Sequence, residues 1–164
     1  MNAIVSASLA MLLASIDQVG AVEMVTNQAI ECRLTQVRDT TEVQFRVSNG
    51  GQDTWRLLSW HTPFDAWFSE FMHISREGRA LRYLGALAKR GAPAAEDYLL
   101  LPPGASLVAD LDLSQAYRLE PGSYKVELAP IVLSSYAGDS HAATQQLSLA
   151  CEPLLLTLPE AGDR

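Results

Sequence analysis

The sequence is organised around Leu57-Leu58-Ser59-Trp60-His61-Thr62-Pro63-Phe64, a stretch that Trp67, Phe68 and Phe71 follow closely. Aromatic side chains bury large apolar areas, so we expect the core to form around this stretch. Pro63 has no amide hydrogen, so it interrupts a helix or ends a ladder of strand hydrogen bonds. The pattern therefore predicts a strand that leads into a bent loop, and not a continuous helix.

Alternating apolar and polar residues predict strands along most of the chain. The period of two that marks a half-buried strand recurs at 30–35, 43–48, 107–113 and 124–128. Further short strands are predicted at 55–60, 98–101 and 147–151, and on both sides of the turn Glu77-Gly78 within 68–83. About seven to nine strands without a long helical period predict an all-β fold, an immunoglobulin-like antiparallel β-sandwich.

Turn residues separate these strands. Asn49-Gly50-Gly51 predicts a hairpin between the second and third strands, because glycine accepts positive φ angles. Pro121-Gly122-x-Tyr124 resembles the tyrosine corner of immunoglobulin-like sandwiches, in which the phenol hydroxyl ties the chain to its own backbone. Exposed loops are predicted at 86–95 and at 134–144.

Length and the apolar N-terminus predict one exported domain. The chain has 164 residues, 48% of them hydrophobic, which is enough for a single core that we place at 22–160. Residues 1–21 resemble a secretory signal with cleavage after Ala21, although no lysine or arginine precedes the apolar run. The alternative is a buried amphipathic N-terminal helix. Export predicts a secreted or periplasmic protein without a stable membrane span after signal removal.

The two cysteines, Cys32 and Cys151, fall on the predicted first and last strands. In an oxidising compartment they could form a disulfide that closes nearly the whole domain and contributes about 4 kcal/mol in the loop-entropy model. The alternative is a pair of buried free thiols.

The formal charge of −7 argues against a general nucleic-acid or anionic-membrane binder, because both functions require a basic surface. Basic residues nevertheless gather in 76–90, and the segment Lys89-Arg90-Gly91-Ala92-Pro93 predicts a cationic loop tip. One interpretation is a plain solvated turn. The other is insertion into an acidic cleft of a partner, where complementary charge speeds encounter and a desolvated lysine anchors.

Catalytic motifs are absent from the sequence. There is no His-Glu-x-x-His, Cys-x-x-Cys, Gly-x-Ser-x-Gly or phosphate-binding glycine loop, so we predict neither an enzyme nor a metal or cofactor site. His61 is interpreted as a packed or capping residue in preference to a ligand. Asp110 and Asp112 could form a calcium or acid/base pair, but solvated carboxylates on the outside of a strand are the simpler interpretation.

Several motifs together resemble one protein family in their order and spacing. They are Leu57-Leu58-Ser59-Trp60-His61-Thr62-Pro63, Tyr83-Leu84-Gly85, Lys89-Arg90-x-x-Pro93, Leu101-Pro102-Pro103-Gly104, Asp112-Leu113-Ser114-x-x-Tyr117 and Pro121-Gly122-x-Tyr124. Over residues 43–130 the chain resembles the N-terminal, prodomain-like region of the deuterolysin-type zinc endopeptidases, the aspzincins, which include the peptidyl-Lys metalloendopeptidases.

The resemblance implies a stand-alone relative of a propeptide. The family carries its zinc ligands in a following catalytic domain, and none of the residues of this chain matches them, so peptidase activity is not implied. The implied partner is an aspzincin-type zinc peptidase domain, which the chain would inhibit or help to fold. Lys89 and Arg90 would contact it, supported by Trp60, His61 and Phe64.

A second hypothesis is an extracellular β-sandwich module that binds another protein or a glycan or serves in a structural assembly. The residues that would carry such binding are Trp55, Trp60, Trp67 and Phe68. Exposure of two or more of them in one patch would favour this function, whereas burial of all four would make them core.

Overall fold

The computed structural model describes residues 29–138 and 145–160. The predicted signal at 1–21 lies outside the described residues, as does part of the loop predicted at 134–144. The described residues form eleven antiparallel strands and three single-turn 3-10 helices. The strands are β1 Ile30–Gln36, β2 Glu42–Asn49, β3 Trp55–Leu58, β4 Met72–Arg76, β5 Arg79–Ala80, β6 Tyr98–Leu101, β7 Ser106–Asp112, β8 Gly122–Leu128, β9 Ile131–Ser135, β10 Gln146–Leu149 and β11 Leu154–Leu158.

One layer has the strand order β1-β2-β7, and the other consists of two groups, β10-β9-β3-β6 and β11-β8-β4-β5. These two groups are halves of one bent sheet. Gln146 pairs with Ser134 in one half, and Leu154 pairs with Val126 in the other. From the first pair to the second, one strand advances by eight residues and its neighbour goes back by eight, so the register is the same in both halves. The break between the halves contains Pro130 and Pro153. Because proline donates no hydrogen bond, the ladder is interrupted there while its register continues.

The eleven segments therefore correspond to seven longer strands. Four of these are split at the bend into β3 and β4, β6 and β5, β9 and β8, and β10 and β11, while β1, β2 and β7 are unbroken. The predicted all-β antiparallel sandwich is confirmed. At one edge the layers are joined by Gln36, whose side-chain amide donates to the Thr157 carbonyl at 2.8 Å and accepts from the Thr157 amide at 3.2 Å.

The core lies between the two layers. Each strand turns alternate side chains inward, as the predicted period of two requires, and Phe45, Leu57, Ile74 and Val126 are all at most 1% exposed. Burial of side chains of this size stabilises the fold by about 1.5 to 3 kcal/mol each. The stretch quoted from the sequence contributes Leu57 to this core, and Trp67 and Phe71, which follow it, are buried there as well.

The predicted tyrosine corner is confirmed at the start of β8. The Tyr124 hydroxyl donates to the Glu120 carbonyl at 2.7 Å and accepts from the Glu120 amide at 2.9 Å. Gly122 has a φ of 140°, and a Cβ there would lie 2.8 Å from a guanidinium nitrogen of Arg76. The backbone angle is the reason that glycine is required at this position, because the end of the flexible Arg76 side chain can move away from a Cβ.

The hairpin predicted at Asn49-Gly50-Gly51 is wrong, because β2 and β3 lie in different layers. In place of the pairing expected in a hairpin, hydrogen bonds of the Asn49 side chain hold the chain here, and Asn49 is 2% exposed. Its side-chain amide donates to the Asp53 and Leu101 carbonyls at 2.8 and 2.9 Å, and its oxygen accepts from the Gly51 amide at 2.9 Å. Neither glycine has a positive φ. The chain does turn at these residues, but it crosses to the other layer instead of reversing within the same sheet.

Three boundaries also differ from the prediction. The strand predicted at 55–60 ends at Leu58, so Trp60 leaves the sheet. Ser134 and Ser135 belong to β9 and not to a loop. Cys151 lies in the break between β10 and β11, next to Pro153, and not on a strand. The predicted turn at Glu77-Gly78 does join two short strands, β4 and β5.

The predicted disulfide is confirmed. Cys32 on β1 is bonded to Cys151, with a Cα separation of 5.3 Å and a sequence separation of 119 residues. It connects the first layer with the bend of the second. Among the residues that the structure describes, no helix has the length and apolar character needed to cross a membrane.

Candidate partner-binding site

Two long insertions leave the sheet at its bend. The first insertion, residues 59–71, separates β3 from β4, and the second insertion, residues 81–97, separates β5 from β6. Since β3 pairs with β6 and β4 with β5, the two insertions start from neighbouring strands and lie side by side. Every partner-binding residue predicted from sequence belongs to one of them.

The first insertion folds around Asp65. A 3-10 turn, Pro63–Asp65, begins after Thr62, whose hydroxyl accepts from the Phe64 amide at 3.2 Å. The Asp65 carboxylate, 7% exposed, accepts from the His61 amide at 3.3 Å and from the Ser69 hydroxyl at 3.1 Å. His61 has a φ of 58°, a strained conformation that this hydrogen bond helps to hold.

Arg90 joins the second insertion to the first. Its guanidinium forms an ion pair with Asp65, lies 5.1 Å from the centre of the Trp60 ring and lies 6.0 Å from that of Phe68. The Arg90 side chain is 29% exposed. Because its guanidinium is engaged by the Asp65 carboxylate and by two aromatic rings of the first insertion, Arg90 acts as a positioning residue in this arrangement.

Backbone hydrogen bonds also connect the two insertions. The amides of Ala86 and Ala88 donate to the carbonyls of Trp67 and Phe68, both at 2.9 Å. The Tyr83 hydroxyl also donates to the Trp67 carbonyl, at 2.8 Å, and its ring covers Gly85. A Cβ at Gly85 would lie 2.2 Å from that hydroxyl, so the motif Tyr83-Leu84-Gly85 requires glycine at its third position.

Asp97 fixes the other end of the loop. Its carboxylate accepts from the Trp60 indole nitrogen at 3.1 Å and from the Ala94 amide at 2.8 Å, and its carbonyl accepts from the Ser59 amide at 2.8 Å. Residues 89–93 are thus held between a fixed amide at Ala88 and a fixed amide at Ala94. The predicted cationic tip is a short loop on an ordered base.

The tip presents Lys89 to solvent. Lys89 is exposed and makes no ion pair or hydrogen bond within the described ranges. Two exposed apolar side chains lie on the adjoining segments, Leu87 at 73% and Phe68 at 53%. Together, Lys89, Leu87 and Phe68 form an exposed cationic tip with an apolar border.

The remaining predicted residues have different surroundings. His61 is exposed, whereas Trp60 is half-buried beneath Arg90. Phe64 packs on the core, with its ring 5.6 Å from that of Phe45 at an angle of 72°. Phe64 therefore attaches the first insertion to the sandwich, while the side chains of His61 and Lys89 form no hydrogen bond or ion pair in the part of the chain that the structure describes. Their predicted contact with a partner remains a prediction.

The four aromatic residues of the alternative binding hypothesis do not share an exposed patch. Trp55 and Trp67 are 3% and 8% exposed, and Trp67 stacks on Phe71 at 5.1 Å. Trp60 is half-buried, which leaves Phe68 as the exposed member. Two of the four, Trp55 and Trp67, belong to the core.

Tyr117 links the insertions to the sandwich. Its ring makes edge contacts with Trp67 at 6.1 Å and with Tyr83 at 5.6 Å, and its buried hydroxyl donates to the Met72 carbonyl. Burial, and then the nearby charges of Glu70 and Tyr83, raise the pKa of Tyr117 well above its ordinary value. The neutral phenol is therefore strongly favoured here.

The carboxylates on β7 take part in structural hydrogen bonds. Asp110 accepts from the Gln44 side chain at 3.0 Å. Asp112 accepts from the Thr41 hydroxyl at 2.7 Å and from the Ser114 hydroxyl and amide at 2.7 and 3.0 Å. Burial raises the pKa of Asp112, but the bonds from Ser114 and Thr41 outweigh it and hold this pKa below its usual value. Within 29–138 and 145–160, no three His, Cys, Asp or Glu residues cluster as metal ligands would.

Sequence reasoning missed two residues that build the site, Asp65 and Asp97, and named Gly85 only as part of the motif Tyr83-Leu84-Gly85. The pattern Thr62-Pro63 does signal a capped turn, because proline is favoured at the first position of a helical turn. Nothing in the local pattern, however, pairs Asp65 with an arginine 25 residues away or Trp60 with an aspartate 37 residues away.

Fold and site together define an antiparallel β-sandwich with one disulfide and a paired insertion that presents a cationic tip. The sequence is 32% identical over 133 residues to a protein of Aeromonas hydrophila named "Extracellular protease". The match covers 79% of this chain and 37% of that protein, so the chain spans little more than a third of its relative's length.

Two further comparisons accompany this match. The X-ray structure of a Northeast Structural Genomics Consortium target aligns with 82% of this chain and 88% of its own, with a TM-score of 0.41 and 10% identity. No protein-family model matches the sequence. The chain is thus similar in sequence to part of an extracellular protease.

Proposed function

We propose that this chain is a non-catalytic, exported binding protein related to a metallopeptidase propeptide. In this proposal it inhibits, or assists the folding of, a deuterolysin-like zinc peptidase, and it acts in the periplasm or outside the cell. The similarity to part of an extracellular protease supports a protease-related role. The disulfide supports an oxidising compartment, since such bonds persist there.

One observation carries the proposal: Lys89 is exposed, and has no ion pair or hydrogen bond among the described residues, on a loop that is fixed at both ends. A peptidase that selects lysine must present an acidic pocket, and Lys89 could enter that pocket as an anchor. Arg90 holds the loop through Asp65, so little conformational entropy is lost when the tip binds. Leu87 and Phe68 would then cover the rim of the pocket.

The test is inhibition of a purified aspzincin catalytic domain that cleaves at lysine. We expect the parent protein to inhibit it and to form a complex on size exclusion, and Lys89→Ala to weaken inhibition by about tenfold or more, as loss of a central anchor does. The matched control is Lys125→Ala, because the chain's other lysine is paired with Glu127 at 2.7 Å on β8. This control should inhibit like the parent.

A second measurement separates inhibitor from folding partner. The denatured catalytic domain is refolded with and without this protein, and the yield of active enzyme is compared after the two are separated. A higher yield supports the folding role, whereas inhibition without a change in yield supports the inhibitor role. Absence of inhibition, of complex and of any gain in yield would exclude both.

A further inference from the structure

The outer face of the half-sheet β10-β9-β3-β6 carries an arginine that has no acidic partner among the residues at 29–138 and 145–160. Arg56 lies in the middle of β3, facing Leu100 on β6 and Ser134 on β9. Its guanidinium lies 4.9 Å from the centre of the Tyr98 ring and 6.0 Å from that of Tyr136. Both rings lie within cation–π range of the guanidinium and restrict its motion before any ligand arrives.

The hydrogen-bonding capacity of Arg56 is unused. Its Nε is buried and is the one buried side-chain nitrogen or oxygen without a partner in the described part of the chain. The two Nη nitrogens are not among the buried atoms, and no ion pair or hydrogen bond engages them within the same residues. Folded proteins rarely leave a partly desolvated cation in this state, because its lost hydration is normally replaced by a counter-charge.

The surroundings of Arg56 indicate the kind of ligand. Leu100 and Val132 are 45% and 55% exposed on the same face, and the Tyr98 ring is occupied by the guanidinium. Exposed aliphatic groups around an arginine and two tyrosines match the composition of protein interfaces. The Arg56 guanidinium covers one face of the Tyr98 ring, which reduces the aromatic surface on which a sugar could stack.

We propose that this Arg56 face, formed by Arg56, Tyr98, Leu100, Val132 and Tyr136, binds a glutamate or aspartate side chain of a protein partner. The carboxylate would accept two parallel hydrogen bonds from Nη1 and Nη2, the bidentate geometry that arginine favours. Leu100 and Val132 would pack on apolar groups beside that carboxylate. The site uses none of the residues of the two insertions and does not depend on the function proposed for them.

The experiment is an NMR titration of the intact, 15N-labelled protein with two peptides. The probes are acetyl-Gly-Leu-Glu-Leu-Gly-amide and the same peptide with Gln in place of Glu. We expect the Nε–H resonance of Arg56, which burial protects from solvent exchange, to shift saturably with the Glu peptide. The Gln peptide should bind about fivefold more weakly or worse, since hydrogen bonds to a charged acceptor are roughly twice as strong.

Two variants make the titration specific. Arg56→Lys keeps the positive charge but removes the two parallel donor nitrogens of the guanidinium. The concentration of Glu peptide that half-saturates the amide shifts of Leu100 and Val132 should therefore rise by at least about fivefold. Arg46→Lys makes the same exchange on the exposed face of β2, in the other layer, and should leave the titration unchanged.

Several outcomes would overturn the proposal. Equal responses to the two peptides, or an unchanged titration in Arg56→Lys, would show that no carboxylate site exists. A response to glucuronate but not to the Glu peptide would replace the protein partner with an acidic sugar. Concentration-dependent dimerisation that Arg56→Lys abolishes would assign the face to a second copy of the chain.

Discussion

The sandwich and its two insertions are held together in different ways. Between the layers, apolar side chains such as Phe45, Leu57 and Val126 are almost completely buried, and ladders of backbone hydrogen bonds connect the strands. In the insertions the order comes from individual polar contacts, above all the Asp65–Arg90 ion pair and the Asp97 carboxylate. The sandwich thus depends on many interchangeable contacts, whereas the insertions depend on a few specific ones.

This difference fits the proposed function, in which the sandwich is a scaffold for a loop that binds a partner. Burial of apolar area tolerates substitutions of similar volume, so the sandwich can be maintained by many sequences. A loop fixed by single charges and hydrogen bonds is ordered only when those residues are present. Substitutions in the sandwich should therefore lower the global free energy of unfolding, and those in the insertions should open the loop first.

The largest effect is expected from truncation of the core at Phe45. Phe45→Ala should lower the free energy of unfolding by about 3 to 5 kcal/mol, because it leaves a cavity between the layers. It also removes the ring on which Phe64 packs, so the first insertion should loosen as well. The measurement is urea denaturation, with Val108→Ala, 41% exposed on β7, as the control. Equal losses in the two variants would contradict the assignment of Phe45 to the core.

Removal of the disulfide should have the next largest effect. The double variant Cys32→Ala, Cys151→Ala should lose about 2 to 5 kcal/mol, since the bond restricts the unfolded chain over a long loop. Denaturation melts of the variant and of the parent with and without a reductant measure this loss. An unchanged melting temperature, with reduction verified by mass spectrometry, would mean that the bond does not stabilise the sandwich.

Loss of Arg90 should affect the insertions more than the sandwich. Arg90→Ala should lower the local opening free energy by about 1.5 to 3 kcal/mol, the range for hydrogen bonds to charged groups. Hydrogen exchange at the amides of Ala86 and Ala88 should speed up accordingly, while amides of β2 and β8 stay protected. The matched control is Arg82→Ala, an exposed arginine of the same insertion. Uniform loss of protection would show that the two regions unfold as one unit.

The smallest effect at neutral pH is expected at Tyr117, where the two regions meet. Tyr117→Phe removes one buried hydrogen bond to the Met72 carbonyl and should cost about 1 kcal/mol. The raised pKa of Tyr117 adds a pH dependence, because the phenol ionises more readily in the unfolded chain. Its contribution is fully present below the ordinary value of 10.0 and is lost as the pH rises from there towards the folded-state pKa.

Unfolding measured between pH 8 and pH 11 checks this sign. Parent stability should fall above about pH 10, and the fall should be shallower in Tyr117→Phe. Some alkaline loss should remain, because burial and the charges of Glu70 and Asp65 raise the pKa of Tyr83 too. A steeper fall in the variant would mean that the buried phenol does not oppose ionisation.

Much of the fold was predictable because it follows from local patterns. The alternation at 43–48 places Phe45 inward, the motif around Tyr124 forms the tyrosine corner, and the Glu77-Gly78 turn joins two strands. The hairpin at Asn49 failed for a physical reason: a turn signal reports that the chain bends, not which strand it pairs with next. Asn49 instead bonds to Leu101, a residue on the other layer.

The candidate site was predictable only in outline. The positive charges of Lys89 and Arg90 on an acidic chain predicted a binding loop, but nothing in the sequence assigned the two residues different roles. In the fold, Arg90 pairs with Asp65, whereas Lys89 is exposed and has no ion pair among the described residues. Arg56 gave no signal, since an arginine between hydrophobic strand residues resembles any outward-facing polar position. Its two tyrosines come from β6 and from the end of β9, which are neighbours only in the folded sheet.

The sequence by itself determined the all-β class, the inward and outward faces of the strands and the presence of an exposed cationic loop. These follow from the side-chain period of a strand and from turn residues, which act over neighbouring positions. Only the tertiary structure decided the bend of the second sheet, the Asp65–Arg90 ion pair and the position of Arg56 beside Tyr98 and Tyr136. Each of these depends on which distant segments become adjacent, and that is settled by the packing of the whole core and not by any local pattern.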